Sequence, residues 1–310
     1  MRPLVVAVVG ATATGKTALA IALARRLGGE IINADSRQVY RGMDIGTAKP
    51  TSAEQAAARH WLIDVVAPDQ PFTLANFLDQ ANAAVDDVLS RRRMPIIAGG
   101  TGQYVWALLE GWRVPRVPPN RELRAELEAL AERDGADALA AELRAIDPAS
   151  ADAIDPRNVR RVIRAIEVTR ATGRRFSEWQ ERERPAFDAT IIGLGMQRAA
   201  LYTRIDARVD AMMSGRTAAG AGGLVDEVRG LNAAGYGCDL PPMTGIGYRQ
   251  ACEHIAGECS VEEAAARIKT ETHRLARMQH TWFRANDARI GWLDADAPDL
   301  VEQATKLAAA

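Results

Sequence analysis

The 310-residue chain has few cysteines, few lysines and no long apolar run. Cys238, Cys252 and Cys259 are an odd set with no zinc-ligand pairing, so neither a disulfide framework nor a structural metal site is expected. No apolar stretch is long enough to cross a bilayer, and no membrane association is expected. Arg2 and the apolar run after it imitate a secretion signal, but cleavage there would destroy the most informative motif of the chain. The expected compartment is therefore the cytosol. Only four of the 39 basic residues are lysines (Lys16, Lys49, Lys269 and Lys306), and alanine is abundant, a pattern of GC-rich coding. Arginine enrichment alone is thus no sign of phosphate recognition. With a net charge of −1, any nucleic-acid surface has to be a local patch.

What is present begins at Leu4. A short, mostly β-branched run reads as a strand buried on both faces, and it leads into Gly10-Ala11-Thr12-Ala13-Thr14-Gly15-Lys16-Thr17. That segment fits G-x-x-x-x-G-K-[ST], and Ala18 to Leu27 reads as the helix that should follow. Small residues let the backbone curl until successive N–H groups point at phosphate oxygens, and the helix N-terminus adds its positive dipole end. Lys16 supplies a compact cation and Thr17 a hydroxyl able to ligate Mg²⁺. The segment is a polyphosphate site. The usual partner of such a loop in an ATPase, an apolar strand ending in Asp, is missing: the strand Pro95 to Ala98 ends in Gly99-Gly100.

Strands are also expected at Glu30–Asp35 and Thr190–Met196, with a short apolar run at Trp61–Val66 and helices at 72–92 and 103–109. After the last strand, only helices are expected. Strand alternating with helix predicts an α/β fold, a parallel sheet covered on both faces with ligands at the carboxyl ends of its strands. From Gly111 the character changes. Val114–Asn120 is a proline-rich connector, and Arg121 to about Arg182 reads as helical, with Asp147-Pro148 and Asp155-Pro156 as helix starts. The expected organisation is a P-loop-like core of residues 1–112 and 187–310 interrupted by a helical insertion at 113–186. The Gly- and Ala-rich run Ser214–Gly223 reads as a disordered loop.

Asp35 and Asp64 are the carboxylates at strand ends. Asp35 suits a Mg²⁺ ligand, a general base or a plain turn residue, whereas Asp64 reads as structural. Arg157, Arg160, Arg161 and Arg164 recur at helical spacing and share a face, which is either a grip on successive phosphates or a solvated basic surface. Lys269, His273, Arg277, His280 and Arg284 repeat the pattern, as a second RNA wall or as ordinary surface.

Together with the loop Asp35–Pro50 and the segments Gly99–Tyr104, Asn158–Thr172, Leu201–Met212, Gly245–Gln250 and Gln279–Arg284, these motifs make the chain resemble the tRNA dimethylallyltransferases over essentially its whole length. The resemblance implies prenyl transfer from dimethylallyl diphosphate to the adenosine 3′ of the anticodon in the tRNA anticodon stem-loop, by a monomeric enzyme. It implies that residues 10–17 hold the diphosphate with Mg²⁺ near Thr17, that Asp35 is the general base, and that Thr101 and Arg208 stand around the reacting centre. Asp35, Ser36, Arg37, Gln38, Thr101, Arg124, Arg160, Arg161, Val162, Ile163 and Arg164 match positions that contact tRNA. A small-molecule kinase, a relative acting on free adenine nucleotides and a non-catalytic RNA-binding protein are the other classes compatible with the motifs.

Overall fold

A computed structural model describes residues 2–180, 182–216 and 222–309. Residues 217–221, the centre of the expected disordered loop, lie outside the described residues. The chain divides into two compact units, Met1–Leu109 with Pro185–Ala310, and Glu110–Arg184.

The first unit is built on β1 (Leu4–Gly10), β2 (Glu30–Asn33), β3 (His60–Trp61), β4 (Pro95–Ala98), β5 (Asp188–Gly195) and β6 (Ile290–Asp294). They form one sheet in the order β3-β2-β4-β1-β5-β6, every pair parallel. Val6 lies opposite Ile96 on one side and Thr190 on the other, which puts β1 at the centre. All of Val5–Val9 are fully buried, as both-face coverage requires. Helices α1 (Lys16–Leu27), α2 (Ser52–Ala57), α3 (Leu74–Ser90) and α4 (Gly102–Glu110) alternate with the first strands. One amphipathic stripe, Leu19, Leu23 and Ala24 of α1, packs on Val6, Val8 and Ile31.

In the second unit, α5 (Arg121–Asp134), α6 (Ala136–Ile146), α7 (Pro148–Ala153) and α8 (Val159–Thr172) enclose Leu127, Leu139, Leu143, Val162, Ile163 and Ile166. Asp147 caps α7 with Pro148 in its first turn, as expected. Asp155-Pro156 does not start a helix. Asn158 caps α8 instead, its side chain accepting the Arg161 N–H, while Asp155 is held in a turn by Arg157.

The first unit resumes with α9 (Arg198–Ser214), α10 (Leu224–Ala233), α11 (Tyr248–Ile255), α12 (Val261–Trp282) and α13 (Leu300–Ala309). Two expectations are overturned here. Strand β6 lies within a stretch read as helical, because a five-residue edge strand interrupted by Gly291 has too little pattern to show. Cys238 and Cys252 form a disulfide, Cα–Cα 6.0 Å, with Cys259 left free. The turn after α10 carries Cys238 back onto α11, a proximity that spacing along the chain does not reveal.

A buried polar node of the helical unit is Glu167, 1 % exposed. It accepts hydrogen bonds from Arg124 (2.8 and 2.9 Å), Arg164 and the Asn120 N–H (2.7 Å). Burial alone would raise its pKa, but these donors outweigh it and hold the carboxyl at about 2. The stabilisation is therefore present above the ordinary Glu range and is lost as pH falls towards 2. Glu167→Gln should lose about 2 kcal/mol of stability at neutral pH. Denaturant titrations at pH 7 and pH 3 should show a smaller difference in midpoint for the variant than for wild type.

Candidate active site

Because β1, β2 and β4 are parallel neighbours, the loops leaving their carboxyl ends meet at one edge of the sheet. The loop after β1 is the phosphate loop. Its curl requires Gly10 at φ +141°, where a Cβ would stand 2.7 Å from the Leu194 carbonyl oxygen, and Ala13 at φ +64°. Lys16 Nζ donates to the Ala11 carbonyl (2.7 Å), spanning the loop. Burial draws its pKa down to about 8, with Arg208 adding to the effect and Asp35 opposing it. Arg208, on α9, donates through Nη2 to Thr12 Oγ1 (2.6 Å) while its buried Nε has no partner within the described residues. Burial lowers its pKa as well. Two desolvated cations flanking a curl of backbone amides form a site for a multiply charged anion.

The loops after β2 and β4 supply the other wall. Asp35 Oδ1 accepts the Arg37 N–H (2.8 Å), and Thr101 Oγ1 accepts the Ser36 N–H (3.0 Å). Thr101 N–H in turn donates to the Ala34 carbonyl (3.3 Å). Asp35, Ser36, Arg37, Thr101, Thr12 and Arg208 all line one cavity of about 440 Å³. Apolar side chains of Val209, Met212, Leu224, Ile268 and Leu275 line it too, with the exposed Met278 and Trp282, and Thr47, Gln103, Thr272 and Gln279 add polar groups. One side thus holds charge, the other mostly hydrocarbon.

The 35–50 loop is less open than its sequence suggests. Gln38 is buried and donates to the Thr47 and Ala48 carbonyls, so its side chain serves the loop itself. Lys49 is buried between Asp44 and Asp64, which gives Asp64 the structural role expected of it. Glu227 of α10 accepts the N–H groups of Asp44, Ile45 and Gly46 and the hydroxyl of Tyr248. Nothing in the sequence marks Glu227, since its partners are backbone amides 181 to 183 residues away.

The basic helix faces divide. In the helical unit Arg160 and Arg161 are exposed, but Arg164 and Arg124 turn onto Glu167, and Val162 and Ile163 are 1 % and 3 % exposed in that unit's core. Hydrophobic burial removes the last two side chains from any contact with tRNA. On α12, Lys269 pairs with Asp210, Arg277 donates to the Tyr202 hydroxyl and the His273 ring stacks on Tyr202, so these three positions fasten α12 to α9. The face of α12 turned to the cavity is Ile268, Thr272, Leu275, Gln279 and Trp282, a stripe at helical spacing interleaved in the sequence with the basic one.

The model of the IPP transferase family matches residues 38–286. The chain belongs to this family. A tRNA dimethylallyltransferase of Roseiflexus sp. (strain RS-1) is 51 % identical over 307 residues, 99 % of this chain and 98 % of that protein. The crystal structure of the full-length tRNA isopentenylpyrophosphate transferase of Bacillus halodurans, 39 % identical, superposes with a TM-score of 0.71 and covers 100 % of this chain and 95 % of its own. A eukaryotic dimethylallyltransferase captured acting on tRNA, 27 % identical, gives 0.81 over 99 % of this chain and 77 % of that one. Thr12 of the phosphate loop, Asp35 to Arg37 and Thr101 line a single cavity.

Lys16 sets a pH dependence. Its ammonium is present below about 8 and is lost above. The ratio of wild-type to Lys16→Met affinity for inorganic pyrophosphate should fall as pH rises through about 8. Calorimetric titration across pH 6.5 to roughly 9.5 reads it directly.

Proposed function

We propose that this chain transfers a dimethylallyl group from dimethylallyl diphosphate to the exocyclic amine of the adenosine 3′ of the anticodon in tRNA. The supporting observation is the cavity itself, whose cationic end and apolar wall match the two halves of a prenyl diphosphate and whose third side carries Asp35. The adenine amine nitrogen attacks the first prenyl carbon as the carbon–oxygen bond to the diphosphate breaks. The amine proton passes to Asp35, and the diphosphate departs into the phosphate-loop amides, Lys16 and Arg208. Thr101, bonded to Ser36, holds the Asp35 loop at that point.

Mg²⁺ is the cofactor of this reading. The oxygen donors beside the loop are the Thr17 hydroxyl and, across the site, the Asp35 carboxylate; no cluster of three metal-ligating side chains occurs among the described residues. Such a sparse set fits an ion that keeps its waters and takes phosphate oxygens from its substrate. Bound there, Mg²⁺ would neutralise charge on the diphosphate.

The adenosine reaches Asp35 by leaving its base stack. Residues 113–186 act as the tRNA-binding insertion, with exposed Arg160 and Arg161 as the phosphate contacts and Arg124 and Arg164 shaping the surface through Glu167. Asp35, Ser36, Arg37 and Thr101 line the cavity and meet the target nucleotide, whereas Gln38 supports them. The reaction takes place in the cytosol, with the chain acting as a monomer. Among the described residues no helix is long and apolar enough to cross a membrane.

The decisive test supplies labelled dimethylallyl diphosphate, Mg²⁺ and an unmodified anticodon stem-loop without ATP. Product on the adenosine 3′ of the anticodon is expected; ATP consumption with small hydroxyl acceptors would instead make the chain a kinase. Asp35→Ala should retain stem-loop affinity and lose at least about a hundredfold in turnover. Arg161→Ala should weaken stem-loop binding and reduce the slope of log affinity against log salt by about 1. An unchanged slope would remove Arg161 from the phosphate contacts.

A further inference from the structure

Gln279 lies near the C-terminal end of α12 and is 7 % exposed. Its Oε1 accepts the Thr12 N–H (2.8 Å), and its Nε2 donates to the Gly100 carbonyl (3.0 Å). One side chain therefore spans the phosphate loop and the turn that presents Thr101. The fit is close, since a Cβ on Gly100 would stand 2.3 Å from Nε2. The end of α12 is itself fixed, because the Trp106 indole N–H donates to the Trp282 carbonyl (2.9 Å) and Phe283 is buried.

The chemistry selects a primary amide. The task needs one acceptor and one donor on a planar group, and the Gln amide supplies both with the reach to span the two loops. A carboxylate would accept from Thr12 but set an oxygen against the Gly100 carbonyl; a thioether would leave both backbone groups without their partner. Thr12 is held a second time, through its hydroxyl, by Arg208. Its N–H is taken up by Gln279, so this amide fixes the curl of the loop rather than meeting a phosphate. Gly100 is followed directly by Thr101, whose hydroxyl receives the Ser36 N–H beside Asp35. An unbroken path runs from the donor's loop, through Gln279, to the loop that carries the base.

We propose that Gln279 is a positioning residue that sets the distance between the diphosphate loop and the Thr101–Asp35 wall, so that the prenyl carbon and the adenine amine are presented to each other. This rests on the prenyl-transfer reading above. Gln279 contacts no reacting atom; it acts through Thr12 and Thr101.

The test compares Gln279→Met and Gln279→Glu with Ala264→Gly, which weakens the same helix about four turns from Gln279. Calorimetry with inorganic pyrophosphate and Mg²⁺ reports the loop, and steady-state kinetics report KM for each substrate and kcat. Both Gln279 variants should bind pyrophosphate about tenfold or more weakly, raise KM for the prenyl donor and lower kcat at saturation, with KM for the stem-loop unchanged. Ala264→Gly should lower the melting temperature and alter none of these. Pyrophosphate affinity like that of wild type in both variants overturns the proposal, as does an equal loss in Ala264→Gly. A wild-type chain that binds no pyrophosphate overturns it too. Wild type that binds pyrophosphate but transfers no prenyl group refutes the functional reading alone.

Discussion

Parallel pairing of β2, β4 and β1 is the constraint on which the candidate site depends. Parallel neighbours release their following loops at the same edge, so three segments separated by up to about ninety residues converge without any one of them being long. The phosphate loop is held on the central strand, where coverage on both faces leaves its backbone little freedom. Asp35 follows β2 and Thr101 follows β4, and the bonds among Ala34, Ser36 and Thr101 join those two loops directly.

Charge is arranged around this edge by burial. Lys16 and Arg208 are desolvated cations with the Asp35 carboxylate nearby, so the diphosphate of the proposed reaction would supply the negative charge that the protein does not fully provide. A leaving group of that kind needs no ATPase aspartate. Elsewhere charges are consumed structurally: Glu227 gathers three amides, Lys49 joins two aspartates, and Glu167 takes Arg124 and Arg164. Each buried ion is compensated by several partners, as the cost of removing charge from water demands.

The rigid frame explains why a loop without regular secondary structure can carry function. Residues 35–50 have no periodicity, yet Val39, Met43 and Ile45 are buried and Gln38, Lys49 and Glu227 satisfy the loop's polar groups. Asp35, Ser36 and Arg37 are left at its cavity-facing start.

The phosphate loop, the α/β alternation, the helical insertion and Asp35 as the notable strand-end carboxylate are written in local spacing and periodicity, so the chain discloses them before it folds. Its basic stripes were equally visible, but charge spacing does not say what lies opposite. Tertiary structure turned Lys269, His273 and Arg277 towards α9, drew Arg124 and Arg164 onto Glu167, and buried Val162 and Ile163. It also decided β6, the Cys238–Cys252 disulfide and the bridge made by Gln279, each a pairing between segments whose mutual approach no local pattern records. Local chemistry specifies which groups are available; only the packed chain specifies which of them remain free to meet a substrate.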